Sequence, residues 1–224
     1  MTRFIVRRMR PDEAPALAEL ESEAWPAGLQ ASESMIRKRL ELGHRAVVAV
    51  LGTRFIAAAC FYHTSQDPTD TKRFPRDFER FSTQPASEPV RSSYVYSLCV
   101  TPAERGRGSV QRVVDAVIAD ARSAGARYVV GDGRCAAYAG AAGPGPDRIR
   151  CDPLFRRAID DWHRSGRKPG IGLLIRDPLL RFYHRLDFEF LHLAPDFLPP
   201  DTASGGFRVI FMKRLTGQAP GSHR

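Results

Sequence analysis

The chain has 224 residues, of which 43% are apolar and 26% charged, an ordinary globular balance, and a chain this long can bury a core that needs no disulfides or structural metal. Lysine and arginine outnumber the acids 34 to 25, giving a net charge of +9. That excess suits a solvated basic surface, an anionic cofactor, an acidic protein partner or nucleic acid; the lack of a five-residue basic run, a zinc-finger or an RNA-recognition signature counts against nucleic acid.

Phe4 to Met9 alternates apolar and basic residues, as a half-exposed strand does. Pro11-Asp12-Glu13 opens a helix whose apolar face carries Leu17, Leu20, Ala24 and Trp25 and which ends at Pro26 and Gly28. Ser32 to Leu42 reads as a second helix closed by Gly43. Arg45 to Leu51 and Arg54 to Tyr62, split by Gly52-Thr53, read as a hairpin. Residues 64–92 are rich in Pro, Ser, Thr and Asp and read as a long loop with a helical turn near Asp77 to Phe81.

Tyr94 to Val100 is a strand, and Pro102 to Gly108 a turn rich in arginine and glycine. Val110, Val113, Val114, Val117, Ile118 and Ala121 then form the clearest helical stripe in the chain. Gly125 ends that helix and Arg127 to Val130 forms the next strand, so this stretch is a βαβ unit with a parallel pair. Residues 135–152 form a loop, Pro153 to Arg164 a short helix, and Asp177-Pro178 starts another that runs to about Leu186. Phe188 to Leu193 and Gly206 to Lys213 are the last strands, and residues 216–224 a frayed tail.

The four cysteines, Cys60, Cys99, Cys135 and Cys151, include no CxxC pair, which argues against zinc; Cys60 and Cys99 lie in apolar runs and read as small core residues. The first residues lack the apolar stretch of a signal peptide, and no segment reaches the ~20 apolar residues that span a bilayer. The expectation is a cytoplasmic chain with no membrane partner.

The chemistry concentrates in Leu98-Cys99-Val100-Thr101-Pro102-Ala103-Glu104-Arg105-Gly106-Arg107-Gly108-Ser109-Val110. A strand feeds a tight turn, and a helix starts there with N–H groups that have no partner inside the helix. Those groups and the helix dipole favour an anion, the glycines admit close approach, and Arg105 and Arg107 add charge suited to phosphate oxygens. The implied ligand is a di- or polyphosphate, although the spacing is neither GxGxxG nor GxxxxGK[ST]. The same residues also suit an ordinary β–α turn with its arginines in solvent.

Arg105-Gly106-Arg107-Gly108-Ser109-Val110 resembles the pyrophosphate motif of the GNAT N-acetyltransferases, Gln/Arg-x-x-Gly-x-Gly/Ala, and Leu98-x-Val100-x-Pro102 resembles its lead-in. The departure is Val110, where glycine or alanine is usual. The resemblance implies a mixed, mainly antiparallel α/β sheet of six to seven strands flanked by helices. It implies one acyltransferase domain over residues 1–215, with a long loop at 64–92, an insertion at 135–176 after the fifth strand, and a tail at 216–224. It also implies acetyl-CoA as co-substrate, no metal, and cofactor contacts from Leu98, Cys99, Val100, Arg105, Gly106, Arg107, Gly108, Ser109 and Val110. Transfer of acetyl to a small-molecule amine by direct attack is the expected reaction, and a homodimer is left open.

Pro178 to Phe188 resembles the family's Phe-Tyr-x-x-x-Gly-Phe element, with Asp187 at the glycine. That resemblance makes Tyr183 the candidate general acid for the leaving thiolate, as a phenol can be; the same residue also suits a tyrosine that packs its ring and wets its hydroxyl. His184 lies about 100° away on the helix and reads as solvent-facing. His63 is a further candidate to face substrate. The strand before the motif offers Tyr94, Tyr96 and Ser97 but no carboxylate, which leaves a water chain, Glu23 or Asp132 as proton acceptor. Cys151 to Leu193, with Trp162-His163-Arg164 and Arg176 to Phe182, also resembles the GNAT-like domains of polyketide loading modules. Those domains act on acyl carrier proteins and use a catalytic histidine where this chain has Tyr183. This narrower resemblance leaves open an acidic carrier protein or an assembly-line product as partner, with O- or S-acyl transfer or decarboxylation of acyl-CoA or carrier-protein thioesters as the alternative function; the tyrosine argues against decarboxylation.

Overall fold

In the computed structural model, residues 4–70, 72–136, 153–166, 170, 172, 176–194, 196–204 and 206–215 are described. The tail, Cys151 and most of the loop at 135–152 lie outside them, as do the side chains of Trp162 and His163. The strands are β1 (Ile5–Arg8), β2 (Arg45–Leu51), β3 (Arg54–Thr64), β4 (Ser92–Val100), β5 (Tyr128–Arg134), β6 (Glu189–Ala194) and β7 (Arg208–Arg214). They form one sheet in the order β1-β2-β3-β4-β5-β7-β6. The ladders β1–β2, β2–β3, β3–β4 and β6–β7 are antiparallel. The helices are α1 (Ala14–Ala24), α2 (Glu33–Glu41), α3 (Phe78–Thr83), α4 (Ser109–Ser123), α5 (Pro153–Ser165) and α6 (Pro178–Arg185). The expected mixed, mainly antiparallel sheet is present, and β4 and β5 are neighbours in it.

The chain divides into two compact units. One comprises residues 1–67, 82–129 and 214–224; the other comprises 68–81 and 130–213. In the first, β2 and β3 pair through alanines and valines that are almost wholly buried, with one irregularity between Ala49 and Val50. Ser32 caps α2 by accepting from the Met35 N–H at 3.2 Å. Val113, Val117 and Ala121 of α4 are at most 1% exposed, so the stripe seen in the sequence is the buried face of the helix.

One acid on α4 interrupts that apolar face. Asp120 is 8% exposed and receives Arg8 Nε from β1 at 2.6 Å, Arg45 Nη1 from β2 at 2.8 Å and His63 Nε2 from β3 at 3.0 Å. Burial works against its charge, but the hydrogen bonds and charges of Arg8 and Arg45 win and hold its pKa below the ordinary range.

The second unit has its own polar centre. Arg208 of β7 is 2% exposed and donates to Asp201 Oδ2 at 2.8 Å, Ser204 Oγ at 2.7 Å, Asp132 Oδ2 at 3.0 Å and the Phe207 carbonyl at 3.0 Å. Arg134 adds a two-pronged contact to Asp201, both bonds at 2.8 Å. Burial opposes the charge on Asp201, yet Arg134, Ser204 and Arg208 lower its pKa to about 2.

Two outcomes follow for stability. Asp120→Ala leaves buried His63 and the 39% exposed Arg45 without this acceptor and should cost about 1–3 kcal/mol in denaturant unfolding, whereas Arg8→Met, at a side chain 61% exposed, should cost under about 1 kcal/mol. Asp201 is an acid with a depressed folded pKa, so its contribution is complete above the unfolded pKa and disappears as the pH falls through the folded one. Unfolding curves should therefore lose about 2 kcal/mol between about pH 4 and pH 2, and Asp201→Asn should flatten that decline.

Candidate functional site

The β4–α4 turn is built as the spacing predicts. A short 3-10 turn, Pro102–Glu104, follows β4, and α4 begins at Ser109. Gly106 and Gly108 have φ of +76° and +86°, where a side chain is strained, and nothing lies within 4 Å of where a Cβ would stand on either. The first α-helical bond is Arg112 N to the Gly108 carbonyl at 3.2 Å. The Ser109, Val110 and Gln111 N–H groups precede any carbonyl one turn earlier. Arg105, Gly106, Arg107 and Gly108 are exposed; Arg107 pairs loosely with Glu104 at 3.5 Å. Ser109 is wholly buried, and its hydroxyl has no partner among the described residues. Val110, the departure from the family pattern, is half-buried in the first turn. An open glycine cradle at a helix N-terminus with flanking arginines fits a diphosphate.

Leu98, Cys99 and Val100 end β4, opposite Ala59, Ala58 and Ala57 of β3. Leu98 and Val100 are half-buried, and Cys99 is 3% exposed. Burial pushes the Cys99 thiol well up, so it stays protonated and inert.

Tyr183 sits on α6, whose start is fixed by Asp177 Oδ1 accepting from Leu179 N at 2.7 Å and by Pro178 in the first turn. Its ring stacks on Phe211, with centroids 4.9 Å apart, and meets Phe188 edge-on. Its hydroxyl oxygen would lie 3.6 Å from a Cβ on Gly131, and a Cβ on Gly133 would come within 2.6 Å of Phe211. The first is an ordinary contact; the second is a clash, so Gly133 is what lets the Phe211 ring close on the strand beneath Tyr183. Tyr183 is 4% exposed, and burial, with Asp132 adding to it, raises its pKa, so the phenol is a donor at every working pH. Asp187, at the family's glycine position, has φ of +58°. That conformation explains the usual glycine, and Asp tolerates it better than most residues. His184 is exposed, as expected.

His63 lies inside β3 and is 5% exposed. Its Nδ1 is 2.7 Å from Ser93 Oγ and its Nε2 faces Asp120. Ser93 is wholly buried, so this serine–histidine–aspartate row has no route to a substrate and serves packing. Of the suggested proton acceptors, Glu23 reaches Arg54 at 2.5 Å, and Asp132 is bound to Arg208. Burial raises Asp132 to about 6 against the pull of Arg208.

Sequence reasoning passed over two residues. Glu21 of α1 is 3% exposed, and Ser97 Oγ donates to it at 2.5 Å. Its only signal was position: four residues after Leu17, on the apolar face rather than beside it. His192 of β6 is held to a pKa of about 4 by burial, its ring 4.4 Å from that of Phe74. Its Nδ1 has no partner among the described residues.

No family model matches the chain, and no curated protein does. Solved structures do. The GphF GNAT-like decarboxylase in complex with isobutyryl-CoA is 24% identical, with a TM-score of 0.70 over 94% of this chain and 98% of its own. The loading GNATL domain of CurA from Lyngbya majuscula is 16% identical, with a TM-score of 0.71 over 95% and 98%. The aminoglycoside 6'-N-acetyltransferase from Enterococcus faecium is 13% identical, with a TM-score of 0.61 over 96% and 99%. At these identities the likeness is one of architecture, and it shows that this chain carries the GNAT fold.

Proposed function

We propose that the chain binds acetyl-CoA by its pyrophosphate at the start of α4 and transfers the acetyl group from the thioester to an amine. The observation that carries this reading is the left-handed pair Gly106 and Gly108, open to solvent at the N-terminus of a helix and flanked by Arg105 and Arg107. In this reading Ser109 and Val110 contribute backbone N–H groups to the phosphates. Leu98, Cys99 and Val100 line the pantetheine arm, and N–H groups near Cys99 and Val100 polarise the thioester carbonyl. Tyr183 supports the leaving thiolate. Its raised pKa makes it a hydrogen-bond donor first and a proton donor second, because a weaker acid gives up its proton less readily.

A second reading draws on the higher TM-scores to the decarboxylase and the loading domain, and on His192, a neutral half-buried imidazole outside α6. There the acyl group belongs to acyl-CoA or to an acidic acyl carrier protein, and the product is a thioester or a decarboxylated acyl chain. Incubation with a malonyl carrier protein, read by mass spectrometry, separates the two: loss of carbon dioxide supports the second, and an intact malonyl group with acetylated amines supports the first.

Acetyl-CoA at a hundredfold excess over its Kd should stabilise the fold by about 2.7 kcal/mol. Gly108→Asp should abolish that gain, since it places a strained residue and a negative charge in phosphate space. An unchanged melting curve with millimolar acetyl-CoA would refute the reading. Tyr183→Phe should lower kcat by about 10²-fold, the lower end for a positioned acid, with KM for acetyl-CoA nearly constant. If His192→Ala abolishes turnover while Tyr183→Phe leaves it intact, the second reading holds instead.

A further inference from the structure

We propose that Glu21 is the proton acceptor for the incoming amine, working through the hydroxyl of Ser97. This rests on the acetyl-transfer reading above and supplies the base that the β4 sequence lacks.

The placement begins with the helix. Residues two apart on an α-helix point about 200° apart, so α1 sends Glu23 outward to Arg54 and Glu21 inward. The strand meets it through an irregularity. Cys60 pairs with Ser97 but Phe61 pairs with Val95, so Tyr96 is an extra residue in β4. Such a bulge re-aims side chains and is common beside active sites. Here it leaves two consecutive side chains buried towards α1 and α2: Tyr96 lies under Arg39, 4.7 Å from guanidinium carbon to ring centroid, and Ser97 bonds Glu21. Ser97 is the residue immediately before Leu98, where the cofactor strand begins.

Glu21 is not held as a structural ion pair. Its second oxygen accepts the Ala31 N–H at 3.3 Å, and the Cys99 thiol also acts on the carboxyl as a neutral donor. The nearby guanidinium of Arg39 acts on it across space and is bonded instead to Ser82 Oγ at 2.9 Å. A buried carboxyl without a bound cation costs stability, and an apolar residue would fill the place more cheaply. Burial raises its pKa, against the pull of Ser97, which brings a carboxyl towards the range a general base needs. A pocket lined by Glu21, Arg39, Cys60 and Tyr96 has room for about one water. That is too small for a substrate and enough to pass a proton.

In the step, the amine nitrogen attacks the thioester carbonyl carbon and its proton passes to Ser97 Oγ as the Ser97 proton passes to Glu21. The carbon–sulfur bond then breaks, the thiolate leaves hydrogen-bonded to Tyr183 and takes its proton from solvent, and Glu21 returns its own to solvent through the pocket water.

The test is acetyl transfer from acetyl-CoA to a panel of primary amines, read as free thiol across pH, in Glu21→Gln and Ser97→Ala. Glutamine keeps the Ala31 and Ser97 contacts, so melting temperature and acetyl-CoA affinity should hold. Turnover should fall about 10²–10⁴-fold in both variants, and at saturating amine the rising limb of kcat with pH should vanish in Glu21→Gln. Retention of that limb in a variant that binds acetyl-CoA overturns the inference and leaves the acetyl-transfer reading standing. Should Glu21→Gln fail to fold, Ser97→Ala decides by the same limb and rate. Absence of acetyl-CoA binding in the unaltered chain overturns both, and binding without transfer to any amine removes the role assigned to Glu21.

Discussion

The carboxylate of Asp120 ties one helix to three strands. Arg8, Arg45 and His63 come from β1, β2 and β3, and all converge on a single side chain of α4. A helix packed by valine and alanine alone can slide or rotate on a sheet at modest cost, because apolar contact has no direction. Charge-assisted bonds to fixed strand positions remove that freedom. Since the first turn of α4 is the proposed phosphate cradle, the position of its N–H groups depends on this lock about three turns further along the helix. The serine and histidine beside Asp120 belong to the lock, which explains why a row with the residue types of a hydrolase triad lies where no substrate can enter.

The second unit solves a related problem with arginine. Arg208 is wholly enclosed, and its charge is balanced by Asp201 and shared with Asp132. The two acids consequently move in opposite directions, Asp201 down to about 2 and Asp132 up to about 6, because Asp201 also has Arg134. Around this centre, Gly133 makes room for Phe211, on which the Tyr183 ring stacks. The placement of the tyrosine is thus set by what β5 lacks as much as by what α6 carries.

Much of this architecture was legible in the sequence. The α4 stripe, the glycine turn before it, the Asp177 cap and the hairpin at Gly52 are local patterns, and local physics decides them. The left-handed Asp187 confirms that the aligned glycine marks a backbone need rather than a side-chain role. What escaped depends on partners far apart in the chain. Glu21 acquires meaning only from Ser97, 76 positions on, and Asp120 from Arg8, 112 positions back. Arg208 reads as one basic residue among 34 until Asp132 and Asp201 are placed beside it. Glu23 stands out in the sequence and Glu21 does not, because an acid on an apolar face looks like an exception to the pattern until Ser97 is placed against it. His63 was suggested for the site for the converse reason: the strand runs past it, which puts it inside.

The central claim is that the α4 N-terminus receives the pyrophosphate of an acyl-CoA. Titration of the isotope-labelled chain with acetyl-CoA, followed through backbone amide chemical shifts, tests it at the atoms concerned. The account predicts saturable shifts that are largest at Gly106, Gly108, Ser109 and Val110, with Leu98 to Val100 next. Saturable shifts centred elsewhere, with those amides unmoved, would contradict it.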